Sequence, residues 1–143
     1  MTGTSSNARF IDSNVFVYAF VKPKVVNEKV KEIKEKAKEV ILRVSKGEER
    51  VITTVVHVSE VANVIESLAN LTTSLEVVES VLNSVEVRDV SVQDYIEALV
   101  VAKKEMISVN DALAYVIMKR EGIKEIYTFD KHFKKLDVTV LPT

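Results

Sequence analysis

Residues 126–133 read I-Y-T-F-D-K-H-F, and residues 9–16 read R-F-I-D-S-N-V-F. In both stretches a short apolar, β-prone run stops at a carboxylate, Asp130 in one and Asp12 in the other. Short apolar runs of this kind fit strands buried within a sheet, where no charge is tolerated. A carboxylate just past such a strand therefore marks the strand's open end, and two such ends in one chain ask for a chemical reason.

The sequence between these stretches alternates the two periodicities. Residues 27–45 carry Val30, Ile33, Ala37, Val40, Ile41 and Val44 at helical spacing, and Gly47 supplies a left-handed stop. Residues 50–53 read as a second strand, and Thr54 is placed to cap a helix whose inner face is expected to carry Val58, Val61, Ile65 and Leu68. Residues 72–83 repeat the helical pattern through Leu75, Val78 and Leu82, and residues 85–90 alternate as a half-exposed strand. Ser91 caps a helix with Tyr95, Leu99 and Ala102 inward; Ser108 or Asn110 opens another with Leu113, Ile117 and Met118, closed by Gly122. Residues 124–129 complete a strand, 130–136 a short helix and 138–141 a last strand. Residues 14–20 fit either a short helix or a continued strand. Strands alternating with helices define an α/β fold around a mainly parallel sheet. Ligands of such sheets bind at the carboxyl ends of the strands, where Asp12 and Asp130 both lie.

Composition narrows the chemistry. The chain has 143 residues, of which 47 % are hydrophobic and 29 % charged, so a buried core is expected and disorder is not. With no cysteine, disulfides and thiolate metal sites are excluded, and two histidines, His57 and His132, argue against a histidine-rich zinc site. A net charge of −1 provides no global attraction for nucleic acid, so binding one would need a local basic patch or metal ions. No apolar run approaches the roughly 18 residues of a membrane span, and the polar start lacks a secretory core. Residues 1–8 are expected to be a flexible tail, residues 9–143 one domain, and the location cytoplasmic.

Two more acids stand in apolar surroundings: Glu60 in V-S-E-V-A-N-V, two turns into the helix after the second strand, and Asp111 in V-N-D-A-L-A-Y-V, in the first turn of a later helix. Asp12 and Asp130 each have an alternative use as a cap, and Asp111 gains from its helix dipole. Glu60, in mid-helix, has no such use. His57, one turn before Glu60, reads as a histidine beside the core or at an interface rather than as a ligand or base. His132 reads as a surface residue in a basic cluster with Lys131, Lys134 and Lys135, which is a solvated face or a contact for RNA phosphates.

Taken in order, F-I-D-S-N-V-F, S-E-V-A-N-V, N-D-A-L-A-Y-V and I-Y-T-F-D-K-H-F resemble the PIN domain family. These are metal-dependent ribonucleases, many of them toxins of VapBC-type toxin–antitoxin pairs. The resemblance implies a three-layer α/β/α sandwich and assigns Asp12, Glu60, Asp111 and Asp130 as catalytic acids that bind Mg²⁺ or Mn²⁺, with Asn14 and Thr128 supporting them. It also implies an RNA substrate cut to 5′-phosphate and 3′-hydroxyl ends, a homodimer and an antitoxin partner. Val116 and Met118 depart from the small residues common in relatives. Physical reasoning supports an ion: two carboxylates about 5 Å apart repel by roughly 3 kcal/mol at an effective dielectric of about 20, so four in one cleft require protons or cations. Oxygen donors suit Mg²⁺ or Mn²⁺, either of which would activate water and offset charge on the leaving oxygen. An Asp-nucleophile phosphatase would carry a second Asp at position 14, where Asn stands, and a phosphoacceptor domain would carry a Lys after the last strand, which V-T-V-L-P lacks. The remaining alternatives are a catalytically silent PIN-like binding module and a PIN nuclease of RNA processing.

Overall fold

The structure, a computed structural model, describes residues 7–142. Residues 1–6 of the expected tail lie outside the described residues. Ala8, counted with that tail, is buried in the core. Five strands form one parallel sheet in the order β3-β2-β1-β4-β5: β1 (Arg9–Ile11), β2 (Val51–Thr54), β3 (Glu86–Arg88), β4 (Glu125–Tyr127) and β5 (Thr139–Leu141). Six helices connect or flank them: α1 (Ser13–Phe20), α2 (Glu28–Ser45), α3 (Val55–Leu68), α4 (Leu71–Ser84), α5 (Val92–Glu105) and α6 (Val109–Glu121). Lys131–Lys135 forms a short 3-10 helix. Residues 14–20 thus resolve as helix, started by Asp12 as its N-cap.

Strand alternation sends β1 side chains to both faces. Ile11 packs with Val15, Val40, Val61 and Ile65 beneath α1 to α4, while Phe10 packs with Leu113, Ile117, Met118 and Phe133 on the side of α5 and α6. Both faces of the sheet are covered, which is the three-layer α/β/α arrangement, and it explains why Phe10, Ile11, Ile52 and Ile126 of the central strands are fully buried. Val116 and Met118 sit within or against the second core cluster, so their departure from small residues is absorbed by packing.

The expected inner faces of two helices are corrected. On α4 the buried residues are Ser74, Val77 and Val81, while Leu75 and Leu82 are exposed. On α5 they are Asp94, Ala98 and Ala102, with Tyr95 and Leu99 turned outward. Both helices carry apolar residues on two faces, and the smaller set goes inward, where close approach to α3 or α6 leaves no room for leucine or tyrosine. Leu68, at the last turn of α3, is also exposed rather than inward.

β1 is the first strand and lies in the middle, so the chain runs outward to β2 and β3 on one side and to β4 and β5 on the other. The crevice between β1 and β4 at their carboxyl ends is the switch point of the sheet, the place where ligands settle in open α/β folds. The ladder continues into it: the Asp12 N–H donates to Tyr127 O at 3.0 Å, and the Thr128 N–H to Leu141 O at 2.9 Å.

Candidate metal centre

Four elements deliver the acids to that crevice. Asp12 directly follows β1 and is 4 % exposed. Its Oδ1 accepts the Ser13 N–H at 2.8 Å, and its Oδ2 accepts the Thr128 hydroxyl at 2.8 Å. Glu60, half-buried in the second turn of α3, has its Oε1 held by the Ser13 hydroxyl at 2.6 Å. Asp111 lies in the first turn of α6, where its N–H donates to the capping Ser108 Oγ at 3.1 Å. Asp130 caps the 3-10 helix by accepting the His132 N–H at 2.8 Å, and its own N–H donates to Thr128 Oγ1 at 3.0 Å. The Asp130 carboxylate therefore serves as a cap as well as facing the crevice.

All four acids line one cavity of about 270 Å³, together with Ser13, Asn14, Ser108 and His132. Thr128 lies behind this wall and joins it. Its hydroxyl donates to Asp12 and accepts both the Asp130 N–H and Asn14 Nδ2 at 3.2 Å, so its single hydrogen and both lone pairs are used. Asn14 Oδ1 in turn accepts the Phe129 N–H at 3.3 Å. A smaller hollow of about 120 Å³ between α1 and α2 is apolar apart from lysines, and no acid lines it.

The electrostatics reflect crowding. Burial pushes the Asp111 carboxyl up to about 7, with the charges of Asp12 and Asp130 acting in the same direction. Burial also pushes Asp12 up, against the hydrogen bonds of Thr128 and Ser13. His57 is buried, and burial holds its imidazole below the ordinary histidine range. Its Nε2 lies 3.0 Å from the Asn110 carbonyl, which only accepts, so Nε2 carries the hydrogen and Nδ1 accepts from Thr54 Oγ1 at 2.7 Å. His57 is thus a core histidine, as its sequence context indicates, and it ties α3 to the residue before Asp111.

His132 differs from its sequence reading. Its ring is exposed, but its Nδ1 lies 3.1 Å from Asp130 Oδ1 and 3.9 Å from Asp111 Oδ2, so it belongs to the cavity wall rather than to a separate basic face. Ser13 and Ser108 are the other contributors not singled out as site residues. The signal for Ser13 was present in D-S-N, where a hydroxyl follows the acid directly.

The chain matches the PIN domain family over residues 9–138. It belongs to that family. No curated protein matches it by sequence. Among solved structures, the Mycobacterium tuberculosis toxin VapC20, described as cleaving the sarcin-ricin loop, is similar at a TM-score of 0.70 and 18 % identity, covering 93 % of this chain and 98 % of that one. VapBC2 from Rickettsia felis, bound to a DNA fragment from its promoter, is similar at 0.64 and 14 % identity, covering 94 % and 97 %. A toxin–antitoxin complex from Klebsiella pneumoniae is similar at 0.63 and 11 % identity, covering 94 % and 96 %. At these identities the likeness is one of fold, and this chain has the PIN fold over nearly its whole length.

The residues fit a divalent ion. Asp111, Asp130 and His132 each offer one donor atom, all within 4.8 Å of one another, and Asp12 and Glu60 add carboxylate oxygens to the same cavity. A donor set dominated by carboxylate oxygen suits a hard divalent ion.

Proposed function

We propose that this PIN domain is a Mg²⁺- or Mn²⁺-dependent ribonuclease that hydrolyses RNA phosphodiester bonds, and that it acts as the toxin of a VapBC-type pair. The observation that carries the reading is the convergence of Asp12, Glu60, Asp111 and Asp130 on one cavity at the switch point of the sheet. Asp12, Glu60, Asp111 and Asp130 would hold the divalent ion, which would supply a Lewis acid for the scissile phosphate and an activated water. The protein's part is positional. Thr128 and Ser13 fix the carboxylates of Asp12 and Glu60, and Asn14 fixes Thr128. Burial and the charges of Asp12 and Asp130 raise Asp111 to about 7, so it is partly protonated near neutrality, which lowers the charge the cavity must carry. The toxin role is supported by the VapC and toxin–antitoxin structures among the similar folds, and an antitoxin and a second copy of the chain are the partners it implies.

Purified protein incubated with mixed RNAs tests the activity. Cleavage is expected with Mn²⁺ or Mg²⁺ and is abolished by EDTA and by Asp12→Asn with Asp130→Asn. Metal-dependent cleavage that survives the double substitution overturns the assignment of the acids, and tight RNA binding without cleavage favours a silent binding module. Induced expression tests the toxin role: growth arrest that Asp12→Asn abolishes supports it, and unchanged growth beside active RNA cleavage points to RNA processing instead.

A further inference from the structure

The 3-10 turn that follows β4 places a nitrogen donor beside the acids. Asp130 and His132 are two residues apart, and the capping of the His132 N–H by Asp130 Oδ1 folds the imidazole back over the carboxylate. Nδ1 then lies 3.1 Å from Asp130 Oδ1 and 3.9 Å from Asp111 Oδ2.

We propose that His132 is a metal ligand of this site, its Nδ1 joining Asp111 and Asp130 around the divalent ion and making the site prefer Mn²⁺ to Mg²⁺. The proposal rests on the reading of the acid cavity as an ion site. Its support is geometric. Metal–donor bonds of about 2.1–2.2 Å put neighbouring donors of an octahedral ion about 3 Å apart and opposite donors about 4.3 Å apart. The separation from Asp130 matches a neighbouring pair, and that from Asp111 falls between the two limits, so a single ion is within reach of all three atoms after small side-chain rotations. With no ion bound, the neutral ring can carry its hydrogen on Nδ1 and donate to Asp130 Oδ1; moving that hydrogen to the exposed Nε2 frees the Nδ1 lone pair for an ion at no cost in charge. The selectivity follows from ligand chemistry. Mg²⁺ is hard and holds oxygen donors and water, whereas imidazole binds the transition ions more readily.

The test uses the full chain, stripped of metal with chelator and studied without RNA. Mn²⁺ bound to the protein is examined by electron spin-echo spectroscopy for coupling to histidine nitrogen, and Mn²⁺ and Mg²⁺ affinities are measured by titration and competition. The other histidine, His57, has both ring nitrogens engaged in the core, so a nitrogen signal reports His132. His132→Ala keeps the backbone N–H that caps the turn and removes an exposed ring, so folding is preserved, and circular dichroism verifies this. Expected are a nitrogen coupling in the wild type that His132→Ala removes, a Mn²⁺ affinity reduced about tenfold or more, and a smaller change for Mg²⁺. Mn²⁺ bound without nitrogen coupling, or an unchanged Mn²⁺-to-Mg²⁺ ratio in the variant, overturns the role of His132 while leaving the acid cavity as an ion site. A wild-type protein that binds no Mn²⁺ overturns both.

Discussion

The Thr128 hydroxyl donates to Asp12 Oδ2 at 2.8 Å, joining the end of β4 to the end of β1 behind the acid cavity. Both residues are nearly fully buried, and the same oxygen accepts the Asp130 N–H, so one hydroxyl sets the positions of two acids from different strands.

Thr128→Val keeps the shape and removes that hydroxyl. It leaves a buried carboxylate short of a donor and the Asp130 N–H short of an acceptor, at a cost of about 1–3 kcal/mol. Nuclease activity is expected to fall about 10–100-fold, in line with the loss of groups that orient metal ligands. Thr128→Ser restores most of both. Urea unfolding and RNA cleavage measured on the two variants check this, and full activity in Thr128→Val would show that Asp12 needs no such support.

Asp111 gives a pH signature. Its folded pKa, about 7, is raised above the unfolded value of about 3.9, so its contribution to stability is present in full below the unfolded value and is lost as pH rises towards 7. Other carboxylates act in the opposite direction: Glu86 and Asp94 are held low, chiefly by Arg50 and Arg120, and favour folding at higher pH. The difference between Asp111→Asn and wild type isolates the one residue. In chelator-treated protein, the Tm advantage of Asp111→Asn is expected to grow from about pH 4 to about pH 7 and then level off, while wild-type Mn²⁺ affinity rises over the same interval. A flat difference would mean that Asp111 ionises as an ordinary surface carboxylate.

The acids were legible because each interrupts an apolar pattern: Asp12 and Asp130 stop strands, and Glu60 occupies a mid-helix position with no cap to make. The alternation of strands with helices and the helix ends at Gly47 and Gly122 were legible for similar local reasons, whereas the order of strands within the sheet was not. The inner faces of α4 and α5 were not, because Leu75 and Val77, or Leu99 and Ala98, satisfy the same periodicity and only the space left by neighbouring helices chooses between them. His132 was read correctly as a surface residue, but its closeness to the acids was hidden for a different reason. Its neighbours Lys131, Lys134 and Lys135 suggested a basic face, whereas the 3-10 turn that Asp130 caps brings the ring of His132, two residues on, to the acids.

His57 offers a test of how the helices carrying Glu60 and Asp111 are held together. Its ring bonds Thr54 on one side and the Asn110 carbonyl on the other, and its edge meets the Phe10 ring with centroids 5.1 Å apart. His57→Leu leaves the Thr54 O–H without its acceptor, although Thr54 Oγ1 still accepts the residue 57 N–H. It also takes one donor from the Asn110 carbonyl, and is expected to cost about 2–4 kcal/mol. If His57 also positions the first turn of α6, Mn²⁺ affinity falls as well. Leu113→Ala, in the core cluster that includes Phe10 and with an expected cost of about 2–5 kcal/mol, provides the comparison. Isothermal titration of both variants below their unfolding range separates the roles: affinity lost in His57→Leu and retained in Leu113→Ala supports positioning, and equal affinities reduce His57 to a core residue.

Met106 ends α5 in the left-handed conformation, with φ of 57°, where the other two positive-φ positions among the described residues are Gly47 and Gly122. The residue is 80 % exposed, so packing returns little for the backbone cost of about 1–2 kcal/mol that a side chain brings to this region. Met106→Gly removes that cost, but the unfolded chain gains entropy, which offsets part of the benefit. The expected net is a stabilisation of about 0.5–1 kcal/mol, read as a higher urea midpoint with an unchanged slope. Met106→Ala, which keeps the β-carbon, is expected to gain nothing. A destabilised glycine variant would show that the methionine side chain contributes more to the α5–α6 connection than its exposure indicates.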